Sequence, residues 1–79
     1  MKEKIIEIIF HITNNKIIYN NENINLFESG ILDSMGLIEL LTEIEEIFEV
    51  TFTSNDISKD NFETVDNIIK FINNKKQYD

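Results

Sequence analysis

The feature that most constrains this chain is an apolar stripe written at helical spacing between Met35 and Glu49. Advancing about 100° per residue from Met35 gathers Leu37, Leu40, Leu41, Ile44, Ile47 and Phe48 into one arc of roughly 120°. Glu39, Glu43 and Glu46 fall together on the far side, spaced i, i+4, i+7, with Glu45 to one flank. Only a helix that buries one face and wets the other satisfies that pattern. Burial of six such side chains is worth roughly 9–18 kcal/mol before chain entropy is subtracted, enough to make this helix the spine of a small core. Met35 and Ile38 miss the stripe and sit among the glutamates.

The same stretch concentrates the charge. Residues 28–49 hold Glu28, Asp33, Glu39, Glu43, Glu45, Glu46 and Glu49 and no lysine or arginine, whereas the flanking segments nearly balance. Almost all of the net charge of −8 therefore lies on one helix and its entry loop. A charge confined to one surface marks that surface for a basic partner. The helix begins at Asp33 or Ser34, both good N-cap residues. Gly36, in its first turn, costs about 1 kcal/mol against alanine and leaves the ground beside Ser34 uncrowded.

A first helix is expected from Lys2 to about Asn14, with Ile5, Ile8, Ile9 and Ile12 on one face and Ile6 and Phe10 widening it. Ile17 and Ile18 are placed to prolong it by a turn. His11, the only histidine, falls on the polar face, where a solvated role is expected. Asn20 to Asn25 is rich in turn formers. Leu26, Phe27, Ile31 and Leu32 should then plug an irregular loop onto the core, with Gly30 supplying a positive φ. Val50 to Phe52 resembles a strand with nothing to pair with, and Asp56 to Phe62 offers at most a short third helix. Thr64 caps a last helix whose buried stripe is Val65, Ile68, Ile69 and Ile72, flanked by Phe71. The polar tail from Asn73 to Asp79 should fray. The expected fold is all-α, a single domain over residues 1–79 with three main helices and one short third helix.

Composition narrows function by exclusion. The 79 residues contain no cysteine, so no disulfide or thiolate metal site is available. No apolar run approaches the ~18 residues of a membrane span, and the N-terminus lacks a signal-peptide core, so a cytoplasmic monomer without membrane insertion is the expectation. The acidic balance opposes nucleic acid and anionic lipid. Autonomous catalysis lacks its parts: Ser34 has no base in its sequence neighbourhood, and Leu32 stands where a G-x-S-x-G elbow requires glycine. Asp56, Ser58 and Asp60 alternate as in a calcium loop, but Asn61 replaces the required glycine and Asn67 the closing glutamate, so no dedicated metal site is expected. What remains is a serine at a helix N-terminus, where backbone N–H groups favour a phosphate. The residues alone equally allow an ordinary N-cap on a solvated helix.

The run Leu26-Phe27-Glu28-Ser29-Gly30-Ile31-Leu32-Asp33-Ser34-Met35-Gly36, followed by Ile38-Glu39-Leu40-Leu41, Ile44-Glu45-Glu46-Ile47-Phe48 and Phe62-Glu63-Thr64-Val65, resembles the acyl, peptidyl and D-alanyl carrier proteins. The resemblance covers nearly the whole chain, with the first helix least diagnostic. It implies a four-helix carrier bundle that is not itself an enzyme. Ser34 would bear 4′-phosphopantetheine through a phosphodiester, and the arm would carry an acyl or aminoacyl thioester between biosynthetic enzymes. The acidic helix would be the recognition element, with Asp33, Met35, Ile38, Glu39, Glu43 and Glu46 meeting the partners. Those partners would be a phosphopantetheinyl transferase, an adenylating ligase or acyltransferase, and a downstream synthase or transferase.

One departure bears on subtype. Fatty-acid carriers commonly read G-A-D-S-L, whereas here Gly30 precedes Asp33 by three residues. The pattern is more similar to discrete acyl or aminoacyl carriers, then to D-alanyl carriers of teichoic acid D-alanylation, with a housekeeping fatty-acid carrier third, although Phe62 to Val65 only partly follows the W-N-T-P turn of the D-alanyl carriers. The isoleucine-rich stripe leaves little slack for a long acyl chain, so a short or polar cargo is expected. An unmodified acidic adaptor remains the alternative of another class.

Overall fold

In the computed structural model, which describes residues 1–78, the isoleucine repeat near the N-terminus becomes helix α1 (Lys2–Thr13). Ile5, Ile6, Ile8 and Ile9 are buried, as their 3–4 spacing requires. Asn14 then adopts a left-handed conformation (φ 54°) and donates its N–H to the Phe10 carbonyl at 2.7 Å, ending the helix. Ile17 and Ile18 therefore do not prolong α1. They open a separate turn, α2 (Ile17–Asn20), started by the Asn15 side chain accepting the Ile17 N–H at 3.0 Å. The change of direction points Ile18 into the core and leaves Ile17 exposed.

The irregular loop that follows is closed by its own polar groups and plugged by its apolar ones. The Asn25 carboxamide oxygen accepts the N–H groups of Phe27 and Glu28, and Gly30 has the expected positive φ of 83°. Leu26, Ile31 and Leu32 are buried, with Phe27 packed at the core's edge. Leu26 donates to the Glu63 carbonyl at 2.6 Å, which joins this loop to the one before the last helix.

Helix α3 (Ser34–Phe48) is the spine that the stripe foretold, with Leu37, Leu40, Leu41 and Ile44 buried. Ile47 is a correction: it is 43% exposed. It lies on the edge of the apolar arc and lines an open groove with Phe10 of α1 and Tyr19 of α2. Glu45 is a second correction in emphasis, because its carboxylate turns inward to accept the Phe52 N–H at 2.8 Å. That bond fixes the chain after α3, where Val50 is buried and no strand forms among the described residues.

The short third helix is a single 3-10 turn, Lys59–Phe62, which seats Phe62 in the core against Phe52 and Phe71 at ring separations of 5.5–5.7 Å. Helix α4 (Val65–Tyr78) starts on Thr64, whose hydroxyl accepts the Asn67 N–H at 3.1 Å. Val65, Ile68 and Ile72 are fully buried and Ile69 partly so. The expected fraying from Asn73 onward is overturned as far as Tyr78; Asp79 lies outside the described residues. Lys75 pairs with Asp56 at 2.8 Å and the Lys76 ammonium donates to the Phe48 carbonyl at 2.9 Å, so the polar tail is tied down by its charges. Among the described residues the result is an all-α bundle of three long helices, with the single turns α2 and Lys59–Phe62 set in the connections between them.

Candidate functional site

The entry to α3 is assembled from both sides of the Asp33–Ser34 bond. Asp33 is extended (φ −114°, ψ −171°) and its Oδ1 accepts the Gly36 N–H at 2.7 Å, so Asp33 is the N-cap. Ser34 is the first helical residue and does not cap. Its side chain is exposed, and its Oγ has no hydrogen-bond partner among the described residues. The N–H groups of Ser34 and Met35 belong to the first turn, which has no preceding carbonyl to receive them. They add to the positive end of the helix dipole beside the free hydroxyl. A phosphate ester on Ser34 thus fits: the hydroxyl is accessible, and the adjacent backbone groups favour the negative charge.

Gly36 has a different reason from the one expected. A Cβ there would stand 3.0 Å from Leu32 Cδ2 and 3.4 Å from Asp33 Oδ1. Its missing side chain makes room for Leu32 to seal the core directly under the cap, more than it clears space around Ser34.

The face running down from Ser34 is apolar at its top and acidic below. Met35 is 73% exposed and Ile38 54% exposed, two large apolar side chains in water within one turn of the serine. Glu39 and Glu46 are exposed. Glu43 is half-buried by α1, with its Oε1 4.0 Å from His11 Nε2. The structure therefore brings Ser34, Met35, Ile38 and Glu39 onto one accessible surface with Glu43 and Glu46 lower down. Asp33 sits at its upper rim with its carboxylate already engaged by the backbone. His11, expected to be solvated, is exposed but stands against this surface, as do Ile12, expected on the apolar face of the first helix, and Thr42, for which the sequence suggested no role. The spacing of Thr42, eight residues after Ser34, was the available signal.

The Asp56 carboxylate is engaged by the protein's own groups. Lys75 is its main partner, and together with the N–H and hydroxyl of Thr53 it holds the Asp56 carboxyl below the usual range. Lys2, paired with Glu22 at 2.8 Å, is shifted upward by that bond. Both pairs lie away from Ser34 in sequence and hold loops to helices.

Comparison with known proteins matches residues 3–72 to the sequence model of the phosphopantetheine attachment site. The chain belongs to this carrier-protein family. Its cofactor is 4′-phosphopantetheine. Among its relatives, the D-alanyl carrier protein of Listeria welshimeri is 38% identical over 68 residues, covering 86% of this chain and 87% of the relative. The D-alanyl carrier protein of Bacillus mycoides is 35% identical over 69 residues, covering 87% of each. A Listeria monocytogenes D-alanyl carrier protein is likewise 38% identical over 68 residues. The carrier contains no helix, among its described residues, long and apolar enough to cross a membrane.

Proposed function

We propose that Ser34 bears the phosphopantetheine arm and that the cargo is a small aminoacyl group, D-alanine. The observation that carries the attachment is the free Ser34 hydroxyl, exposed at the positive end of α3. In this reading the Oγ attacks the pyrophosphate of coenzyme A, forming the phosphodiester and releasing the adenine nucleotide half. The hydroxyl proton passes to a base on the transferase, because no described residue of this chain bonds the Oγ. Once attached, the arm supplies a terminal thiol that holds the cargo as a thioester. Asp33 fixes the helix start so that Ser34 always leaves the surface in the same direction. Met35 and Ile38 give a docking enzyme apolar contact, while Glu39, Glu43 and Glu46 steer its basic surface.

Two things support a short cargo. The relatives above are D-alanyl carrier proteins by name. The interior next to α3 is filled by Leu40, Ile44, Phe62 and Ile68, all fully buried, which leaves a long acyl chain no ready-made slot. The chain then acts as one carrier domain in the cytoplasm. It is a substrate for a transferase, an adenylating ligase and a downstream transferase, and not an enzyme itself.

The test is stepwise. Incubation with a broad-specificity phosphopantetheinyl transferase and coenzyme A should add one arm to the wild type and none to Ser34→Ala, read by intact mass. A D-alanine-activating ligase with ATP should then add one alanyl group to the arm. Wild type that stays unmodified beside a modified control carrier points to the unmodified adaptor. An arm that accepts a fatty acyl group and refuses D-alanine overturns the cargo.

A further inference from the structure

The surface next to Ser34 holds a furrow that the attachment chemistry does not use. It lies between α1 and α3, encloses about 340 Å³, and is lined by His11, Ile12, Ile38, Glu39, Thr42 and Glu43. Ser34, Ile38 and Thr42 follow one another at i, i+4 and i+8, so they form a single row down α3. The furrow begins one turn below Ser34, and Thr42 lies only about 12 Å from it along the axis at ~1.5 Å per residue. An extended phosphopantetheine arm is longer than that span. The lining joins apolar walls, Ile12 and Ile38, to two carboxylates, Glu39 and Glu43, and the sole basic-capable neighbour, His11, stands 4.0 Å from Glu43 Oε1.

We propose that this furrow is a resting site for the carrier's own loaded arm, in which Glu39 and Glu43 receive the α-ammonium of an aminoacyl thioester. The proposal rests on the reading of Ser34 as the attachment point and extends it to how cargo is told apart. Charge and apolarity select together. The arm's methylene and dimethyl carbons lie on Ile38 and Ile12, while the cationic end meets the two carboxylates. An uncharged acyl group of the same size has nothing to meet there, and a carboxylate-bearing cargo is repelled. None of the buried core residues lines the furrow, so occupying it leaves the core undisturbed. Exposed ion pairs are weak, so the loaded arm exchanges between furrow and solvent and stays available to a downstream enzyme.

The experiment loads the protein directly, using a phosphopantetheinyl transferase with D-alanyl-coenzyme A or propionyl-coenzyme A, and records amide NMR spectra against the protein with a bare arm. D-alanyl loading should shift the signals of Ile12, Ile38, Thr42 and Glu43, and propionyl loading should leave them near the bare-arm positions. In the Glu39→Gln, Glu43→Gln double variant the D-alanyl shifts should fall about two- to fivefold, as the loss of exposed ion pairs implies. Shifts confined to residues 33–37, or equal shifts from both cargoes, overturn the resting site. Failure of the transferase to add any mass at Ser34 is a different result, and it overturns the attachment itself.

Discussion

Removing the Asp33 side chain should destabilise the fold, while removing the Ser34 hydroxyl should not. Both residues are good N-caps on paper, but only Asp33 is extended, and only its Oδ1 receives an N–H, from Gly36 at 2.7 Å. Asp33→Ala loses that bond, worth about 1 kcal/mol, together with a charge at the positive helix end worth ~0.3–1 kcal/mol. The combined cost is about 1.5 kcal/mol. At roughly 2 cal/mol/K per residue, the unfolding entropy of a domain this size is about 0.17 kcal/mol/K, so Tm should fall by about 9 °C. Asp33→Asn keeps an acceptor and should recover most of the loss. Ser34→Ala removes an exposed hydroxyl with no partner among the described residues and introduces the best helix former, so its stability should change by no more than about 0.5 kcal/mol. Urea unfolding of the unmodified proteins, followed by far-UV circular dichroism, measures all three. If Ser34→Ala falls by 1 kcal/mol or more while Asp33→Ala is neutral, the assignment of the cap is wrong. If the order holds, loss of modification in Ser34→Ala reports chemistry alone.

Changing Glu39, Glu43 and Glu46 together to Gln should slow association with the transferase and flatten its salt dependence, because exposed charges act at long range and are screened over about 10 Å at 0.1 M salt. Changing Met35 and Ile38 to Ser should instead speed dissociation, since it removes contact and not attraction at a distance; stopped-flow binding at two ionic strengths separates the two. The Asp56 carboxyl is held below its usual range by Lys75 and Thr53, so its contribution to stability is complete above an unfolded value near ~4 and is lost as pH falls through the lower folded value. Asp56→Asn should therefore cost about 1 kcal/mol at neutral pH, and the difference from wild type should vanish in acid unfolding below that window.

The long elements were legible because their signals are periodic and redundant. Ile5, Ile9, Leu40, Ile44, Ile68 and Ile72 each repeat a face that its neighbours also declare, and every one is fully buried. What escaped was decided by single contacts. Nothing in the apolar pattern says that Asn14 turns left-handed and redirects Ile17 and Ile18. Helical spacing cannot tell Glu45, which reaches back to the Phe52 N–H, from Glu46, which stays in solvent. The exposure of Ile47 depends on the open groove left where α1 and α2 meet α3, a tertiary fact. At the site, the D-S-M-G run located the helix start and its neighbours. The division of labour between the capping Asp33 and the free Ser34 needed the backbone angles, and the furrow needed α1 and α3 side by side.

The two ends of α3 are held very differently. At its far end the Phe48 carbonyl takes the Lys76 ammonium, Glu45 grips the Phe52 N–H, and Lys75 secures the loop through Asp56. At its near end the Asp33 carboxylate and carbonyl take the Gly36 and Leu37 N–H groups, Leu32 is buried beneath them, and Ser34 and Met35 stand open to water. The helix is a cantilever, fixed at the root and loaded at the tip. A pull on the Ser34 turn would meet only these local contacts, and the strain would die away before it reached the aromatic cluster of Phe52, Phe62 and Phe71. Amide exchange should then run fastest at the tip and slow toward the root.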